Sequence, residues 1–209
     1  MNDFIDNLID SDRDKTVSAN ELFRARAALC IALLAAVLAL AGLLGDNADQ
    51  DQLAGNVQAA DAYAFYQAKN IRQTDYKLAL DQVNWDLENN ATLSAAQRAA
   101  LEQRRDKYQA TVERYESEPD ASDPHNPLKG EGKKELLTRA RFYENARDVA
   151  AARGANYDYA AGLLQIAIVL ASVAIITLLR PLLYLALALG GVALLFMLNG
   201  LFNLVALPF

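Results

Sequence analysis

The chain has 209 residues, 53% of them hydrophobic and 22% charged, with 20 Lys and Arg against 26 Asp and Glu and a mean hydropathy of +0.03. That average hides a split: the stretches 27–45, 160–179 and 181–209 carry no charge at all, and each reaches or nearly reaches the roughly 20 apolar helical residues that span a bilayer. An ordinary soluble enzyme is excluded, as are a disulfide scaffold, because Cys30 is the only cysteine, and, given the net charge of −6, a nucleic-acid partner.

Residues 1–22 form an acidic leader. Within it, 10–21 matches most ligand positions of a twelve-residue calcium loop: Asp10, Asp12 and Asp14 stand at positions 1, 3 and 5, Thr16 offers its carbonyl at 7, and Glu21 stands at 12. Lys15 departs from the pattern, because position 6 takes glycine for the sharp turn. The alternative is a capping box in which Ser18 and Glu21 start the following helix. Calcium is the only cofactor the sequence raises, and capping alone accounts for the same residues.

Residues 23–45 are read as a retained membrane helix, because the leader before it is too long and too acidic for a signal peptide. Ala25, Ala28, Ala32, Ala35, Ala39 and Gly42 recur at alternating spacings of three and four, which puts them on one face. In lipid, helices associate through close backbone approach over small residues, so this stripe predicts a helix–helix contact. The third segment repeats the device with Ala186, Gly190, Ala193 and Gly200.

Residues 46–159 read as an extramembrane helical bundle. Val57, Ala64, Ile71, Leu78 and Trp85 fall seven apart, and Tyr76, Leu80, Val83 and Leu87 form a second stripe. Sustained seven-residue spacing is the mark of helices packing at a shallow angle. The first helix is predicted to end at Asn89-Asn90, and Ser94 with Gln97 to cap a second whose apolar edge is Leu101, Tyr108, Val112 and Tyr115. Five Pro and Gly residues make 118–132 a loop. A third helix from Lys133 runs on into the membrane past Tyr157 and Tyr159. Three antiparallel or bent helices are expected, with copies of the chain packed on them.

The segments 160–180 and 181–209 are joined at Arg180-Pro181, which predicts a tight hairpin. Three polar side chains lie inside it: Gln165, Asn199 and Asn203. At 1.5 Å per residue Gln165 and Asn199 lie about 22 and 27 Å from the turn, close enough in depth to hydrogen-bond across it. The alternative is a polar pathway lining, although no ionisable residue accompanies them.

Enzyme signatures are scarce. His125, the only histidine, lies in the loop with Ser117 and Asp123 nearby, and no nucleophile–base arrangement is evident. Arg24 and Arg26 precede the first segment while Asp46, Asp49 and Asp51 follow it, which predicts a cytoplasmic N-terminus and a periplasmic middle.

The strings AFYQAKNIRQT at 64–74 and LLQIAIVLASVAIIT at 163–177, in the order membrane helix, helical middle, membrane hairpin, resemble the bacterial family called domain of unknown function 4337. The resemblance covers about 23–202 and implies an integral membrane protein with a helical extramembrane part. It implies no activity, so Tyr66, Lys69 and Arg72 receive no catalytic role from it. The expectation is an all-α inner-membrane protein with three transmembrane helices, partnered by the bilayer and by itself or by other membrane subunits. A non-enzymatic homo-oligomeric scaffold leads; a channel component or an accessory subunit are the alternatives.

Overall fold

The computed structural model describes residues 2–205, with side chains described from Ala19 onward. The described residues form four helices and no strand: α1 (Asn2–Asn89), α2 (Ala95–Glu116), α3 (Lys133–Thr177) and α4 (Arg180–Phe202). Of these, α1, α3 and α4 each hold a stretch long and apolar enough to cross a membrane. The chain divides into two compact units, Met1–Asp51 with Val149–Phe209, and Gln52–Asp148.

In the first unit three helices close on small residues. The buried positions of α1 include Ala27, Leu34, Ala41 and Ala48, seven apart. Those of α3 include Ala160, Leu164, Ala167, Ala171 and Ala174, alternating four and three, and those of α4 include Leu183, Ala186, Gly190, Ala193 and Gly200. Alanine and glycine let backbones approach closely, which is what holds helices together where lipid offers no hydrophobic gain. Leu34 is the exception that proves useful, since it fills the notch at Gly190, where a Cβ would stand 2.6 Å from its Cδ2. Gly200 takes the ring of buried Tyr157 in the same way, and Gly45 faces Tyr157 across the α1–α3 contact. These pairings run α1 alongside α4 in the same direction and α3 against both.

The hairpin turns one residue pair earlier than Arg180-Pro181. Leu178 takes a left-handed conformation at φ 58°, Leu179 precedes the helix, and Pro181 lies in the first turn of α4. Proline's missing N–H is harmless there, because the first amides of a helix have no partner inside it. The turn is therefore made by leucines, one of them strained, and proline starts the next helix instead of breaking the last.

In the second unit α1 is covered along one face. Ala59, Ala62, Tyr66, Lys69, Gln73, Tyr76, Leu80, Val83 and Leu87 step by alternating three and four residues, and every one is buried or half-buried. The partners occupy that face in succession. Toward the C-terminal end of α1 it is α2: Arg98 donates to the Leu87 carbonyl, Tyr76 packs on Tyr108 and Tyr115 at 5.5 and 5.9 Å, and Gln73 donates to the Val112 carbonyl. Nearer residue 55 it is α3, with Lys133 bonded to Gln73, Tyr63 to Glu144, and Gly55 against the Arg147 backbone. The three antiparallel or bent helices expected here are arranged as two helices in tandem, both antiparallel to one long partner. The physical reason is length, since α2 has 22 residues and cannot match the run of α1 that needs cover.

The breaks in this unit follow local chemistry. Ser94 caps α2, its hydroxyl accepting from the Gln97 amide while the Gln97 side chain accepts from the Ser94 N–H. The loop between α2 and α3 is held by Arg139, which donates to the carbonyls of Leu128 and Gly130 at 2.6 and 2.7 Å.

Candidate interaction surface

The face of α1 opposite the tandem seam is bare. Val57, Ile71, Leu78 and Trp85 are 51, 63, 64 and 61% exposed, with Leu53 at 64% and Ala64 also exposed. The sequence-predicted heptad of Val57, Ala64, Ile71, Leu78 and Trp85 is therefore not the seam that packs inside the chain. That task falls to the second stripe: Val83 is buried, and Tyr76, Leu80 and Leu87 are half-buried. An α-helix turns 100° per residue, so positions 57 and 66 lie half a turn apart. α1 in this unit has two apolar faces, and the chain covers one.

The first unit repeats the pattern. Ala25, Ala28, Ala32, Ala35, Ala39 and Gly42 are all exposed, and a Cβ at Gly42 would meet nothing within 4 Å. The in-chain contact uses Ala27, Leu34 and Ala41 instead. In α4 the predicted Ala186, Gly190 and Ala193 are buried in the in-chain contact, as is Gly200. Small residues pack the unit as the rule requires, and on α1 a second row of them is left facing outward.

Where α2 ends and α3 begins, a polar cluster lies over α1. Gln73, 2% exposed, donates to the Val112 carbonyl and to Glu116 at 2.9 and 3.1 Å and accepts from Lys133 at 2.9 Å. Lys69 pairs with Glu118 at 3.0 Å and lies 5.8 Å from the Tyr115 ring centroid, while Lys133 lies 5.6 Å from that of Tyr66. Glu135, itself buried in the first turn of α3, accepts from the Ser117 hydroxyl and the Glu118 amide. Burial pushes the Glu135 carboxyl up, but those donors and the charge of Lys134 outweigh it and hold it below its ordinary value. Glu116 is lowered too, first by the Gln73 hydrogen bond and then by Lys133. A Cβ at Gly132 would collide with the Glu118 amide and Glu135, so this approach needs glycine for space.

Chemically the cluster is a splice. It joins a carbonyl near the end of α2, the Ser117 hydroxyl and the Glu118 amide just beyond it, and five charged side chains, and no buried side-chain polar atom among the described residues lacks a partner. Tyr66 and Lys69 belong to it, whereas Arg72 is exposed. Gln73, at the centre, belongs to neither apolar stripe that the sequence displays, yet it is buried. The three-four register running through Ala59 and Val83 was the signal that would have found it.

The intramembrane polar residues separate. Asn199 donates to the side-chain amide oxygen of Asn156 at 2.9 Å and exchanges hydrogen bonds with the Val205 backbone. Asn203 ends α4 at φ 50°, its amide bonded to the Asn199 carbonyl. Gln165 faces outward and does not meet Asn199. The missed partner is Asn156, 2% exposed, whose amide also donates to the Ala152 carbonyl. About 28 Å of α4 separates Arg180 from Asn199, so the asparagine pair lies at the far end of the span from the hairpin turn.

The loop residues are engaged elsewhere than in a triad: Ser117 binds Glu135, and Asp123 pairs with Lys129 at 3.1 Å. Among the described residues no three His, Cys, Asp or Glu side chains converge as metal ligands. The calcium ligands Asp10, Asp12, Asp14 and Thr16 fall outside the described side chains, and Glu21 is exposed.

These features define an all-α protein with three helices long and apolar enough to cross a bilayer, and with two uncovered faces on its longest helix. The chain belongs to the family described as domain of unknown function DUF4337, which matches residues 23–203. No curated protein and no solved structure matches the chain.

Proposed function

We propose that the protein is a non-enzymatic scaffold of the bacterial inner membrane that assembles with copies of itself through the outer faces of α1. The observation that carries this is the bare heptad of Val57, Ala64, Ile71, Leu78 and Trp85. A face that repeats every seven residues is complementary to an identical face, because equivalent residues interdigitate layer by layer in a parallel pair. From Leu53 to Trp85 it is about 48 Å long. At a helix width of about 10 Å it offers roughly 500 Å² per copy, or about 1,000 Å² in a pair, the size at which specific interfaces begin. The exposed row of Ala28, Ala32, Ala35, Ala39 and Gly42 supplies a second contact of the kind that works in lipid.

In this reading Gln67, Thr74 and Asp81, exposed on the same face, set register and copy number at some expense of stability. The N-terminus is cytoplasmic, following Arg24 and Arg26, and residues 46–159 are periplasmic. The asparagine pair has a structural part: with Asn199 fully occupied by Asn156 and Val205, nothing favours a transport pathway over a clamp at the end of the span.

The test is disulfide capture and mass. Ile71→Cys in a Cys30→Ser background is expected to cross-link between copies in native membranes. Ile71→Asp with Leu78→Asp removes two apolar contacts per copy, each worth about 1 kcal/mol or more at this exposure. That is about 4 kcal/mol per pair, roughly a thousandfold in dissociation constant, and native mass spectrometry in detergent would show a monomer. A monomeric wild-type chain sinks the proposal.

A further inference from the structure

Two cavities in the first unit lie end to end between α1 and α4. The larger, about 500 Å³, is lined by Phe23, Arg26, Leu29, Arg180 and Tyr184 among others. The smaller, about 250 Å³, is lined by Leu33, Leu34, Val37, Leu164, Gly191 and Leu194. Cys30 and Leu187 line both, so the two make one groove. Its chemistry changes along its length: the end at the hairpin turn carries two guanidinium groups and a phenol, and the rest is hydrocarbon. Among the described residues no acidic side chain lines it, and neither Arg26 nor Arg180 has a carboxylate partner there.

We infer that this groove binds one anionic phospholipid, its phosphate between Arg26 and Arg180 and an acyl chain running past Cys30 and Leu187 toward Gly191. The inference rests on the reading that these helices cross a bilayer, and it is independent of self-assembly. Two fixed positive charges at one end of a membrane helix pair call for an anion, and arginine forks match phosphate geometry. A free phosphate would use the charged end alone and leave the hydrocarbon end without purpose. A lipid uses both, and basic pockets between membrane helices at the headgroup level are where anionic lipids are held. Tyr184, 68% exposed, stands at the same level, where an amphipathic ring is at home. Gly191 leaves the floor open, since a Cβ there would meet nothing within 4 Å.

The experiment uses the full chain, delipidated in detergent, with phosphatidylglycerol and phosphatidylcholine of identical acyl chains added and adducts resolved by native mass spectrometry. Phosphatidylglycerol is expected to be retained over phosphatidylcholine. With about fivefold per arginine near the surface, Arg26→Gln with Arg180→Gln should cut the preference about 25-fold, and Arg24→Gln, outside the groove lining, should leave more of it. Gly191→Leu fills the hydrocarbon end and should weaken both lipids while keeping the ratio between them. All four positions are exposed, so the substitutions remove no packed side chain, and the same spectra count subunits separately from lipids. Equal retention of the two lipids, an unchanged preference in the arginine double variant, or full competition by glycerol phosphate alone would each overturn the inference.

Discussion

Gln73→Leu is the sharpest probe of the splice between α2 and α3. The side chain is 2% exposed and makes three hydrogen bonds, two of them to charged groups. A bond to a charged partner is worth about 1.5–3 kcal/mol and a neutral one about 1 kcal/mol. Lys133, only 13% exposed, loses its close acceptor and keeps Glu116 at 3.6 Å, whereas half-exposed Glu116 recovers water. Because Lys133 keeps one partner and Glu116 regains water, the lower end of that range applies, a gross loss of about 4 kcal/mol, which is offset by about 1–2 kcal/mol from the new apolar side chain. The net cost is about 2–3 kcal/mol, confined to the second unit. Hydrogen exchange on the full chain in detergent reads this directly: amides around Val112 and Leu136 should open about 30- to 150-fold more often. Exchange across Ala160–Ala174, in the other unit, should not change. Unchanged protection around Val112 and Leu136 in Gln73→Leu would refute the idea that this cluster joins the tandem helices.

Acid should loosen the same region. Glu116, Glu135 and Asp120 are all held below their ordinary values, Asp120 chiefly by hydrogen bonds from Ser122. Carboxylates lowered on folding contribute stability that is fully present above the unfolded glutamate value of about 4.3 and is lost as pH falls through the lower folded value. The melting temperature of the helical signal should therefore fall below about pH 4; a constant value from pH 6 to pH 3 would contradict the assigned hydrogen bonds. In the first unit, Gly190→Val should destabilise by collision with Leu34, and Leu34→Ala should recover part of that loss. The coupling is expected to be about 1–2 kcal/mol, the range for residues in contact. Strictly additive costs for the two changes would mean that Leu34 does not fill the notch.

Much of the chain was legible residue by residue. The charge-free stretches at 27–45, 160–179 and 181–209 announced three spans because hydrophobicity over 20 residues is a local property. The stop at Asn89, the box of Ser94 with Gln97 and the start at Lys133 were equally local, since each is decided within one helical turn. What periodicity could not say is which of two apolar faces the chain would cover. Val57–Trp85 and Tyr66–Leu87 both satisfy a repeat, and the choice falls to whichever partner the loop at 118–132 can deliver. The same holds for the alanines of α1, where Ala25–Gly42 is the more regular row and Ala27–Leu34–Ala41 the one that meets α3 and α4. Asn199 found Asn156 rather than Gln165 because depth along a helix is readable from sequence but azimuth around it is not. Local chemistry set the elements and their ends; tertiary packing alone assigned the faces, since a helix turned by half a revolution keeps its sequence and exchanges its partner.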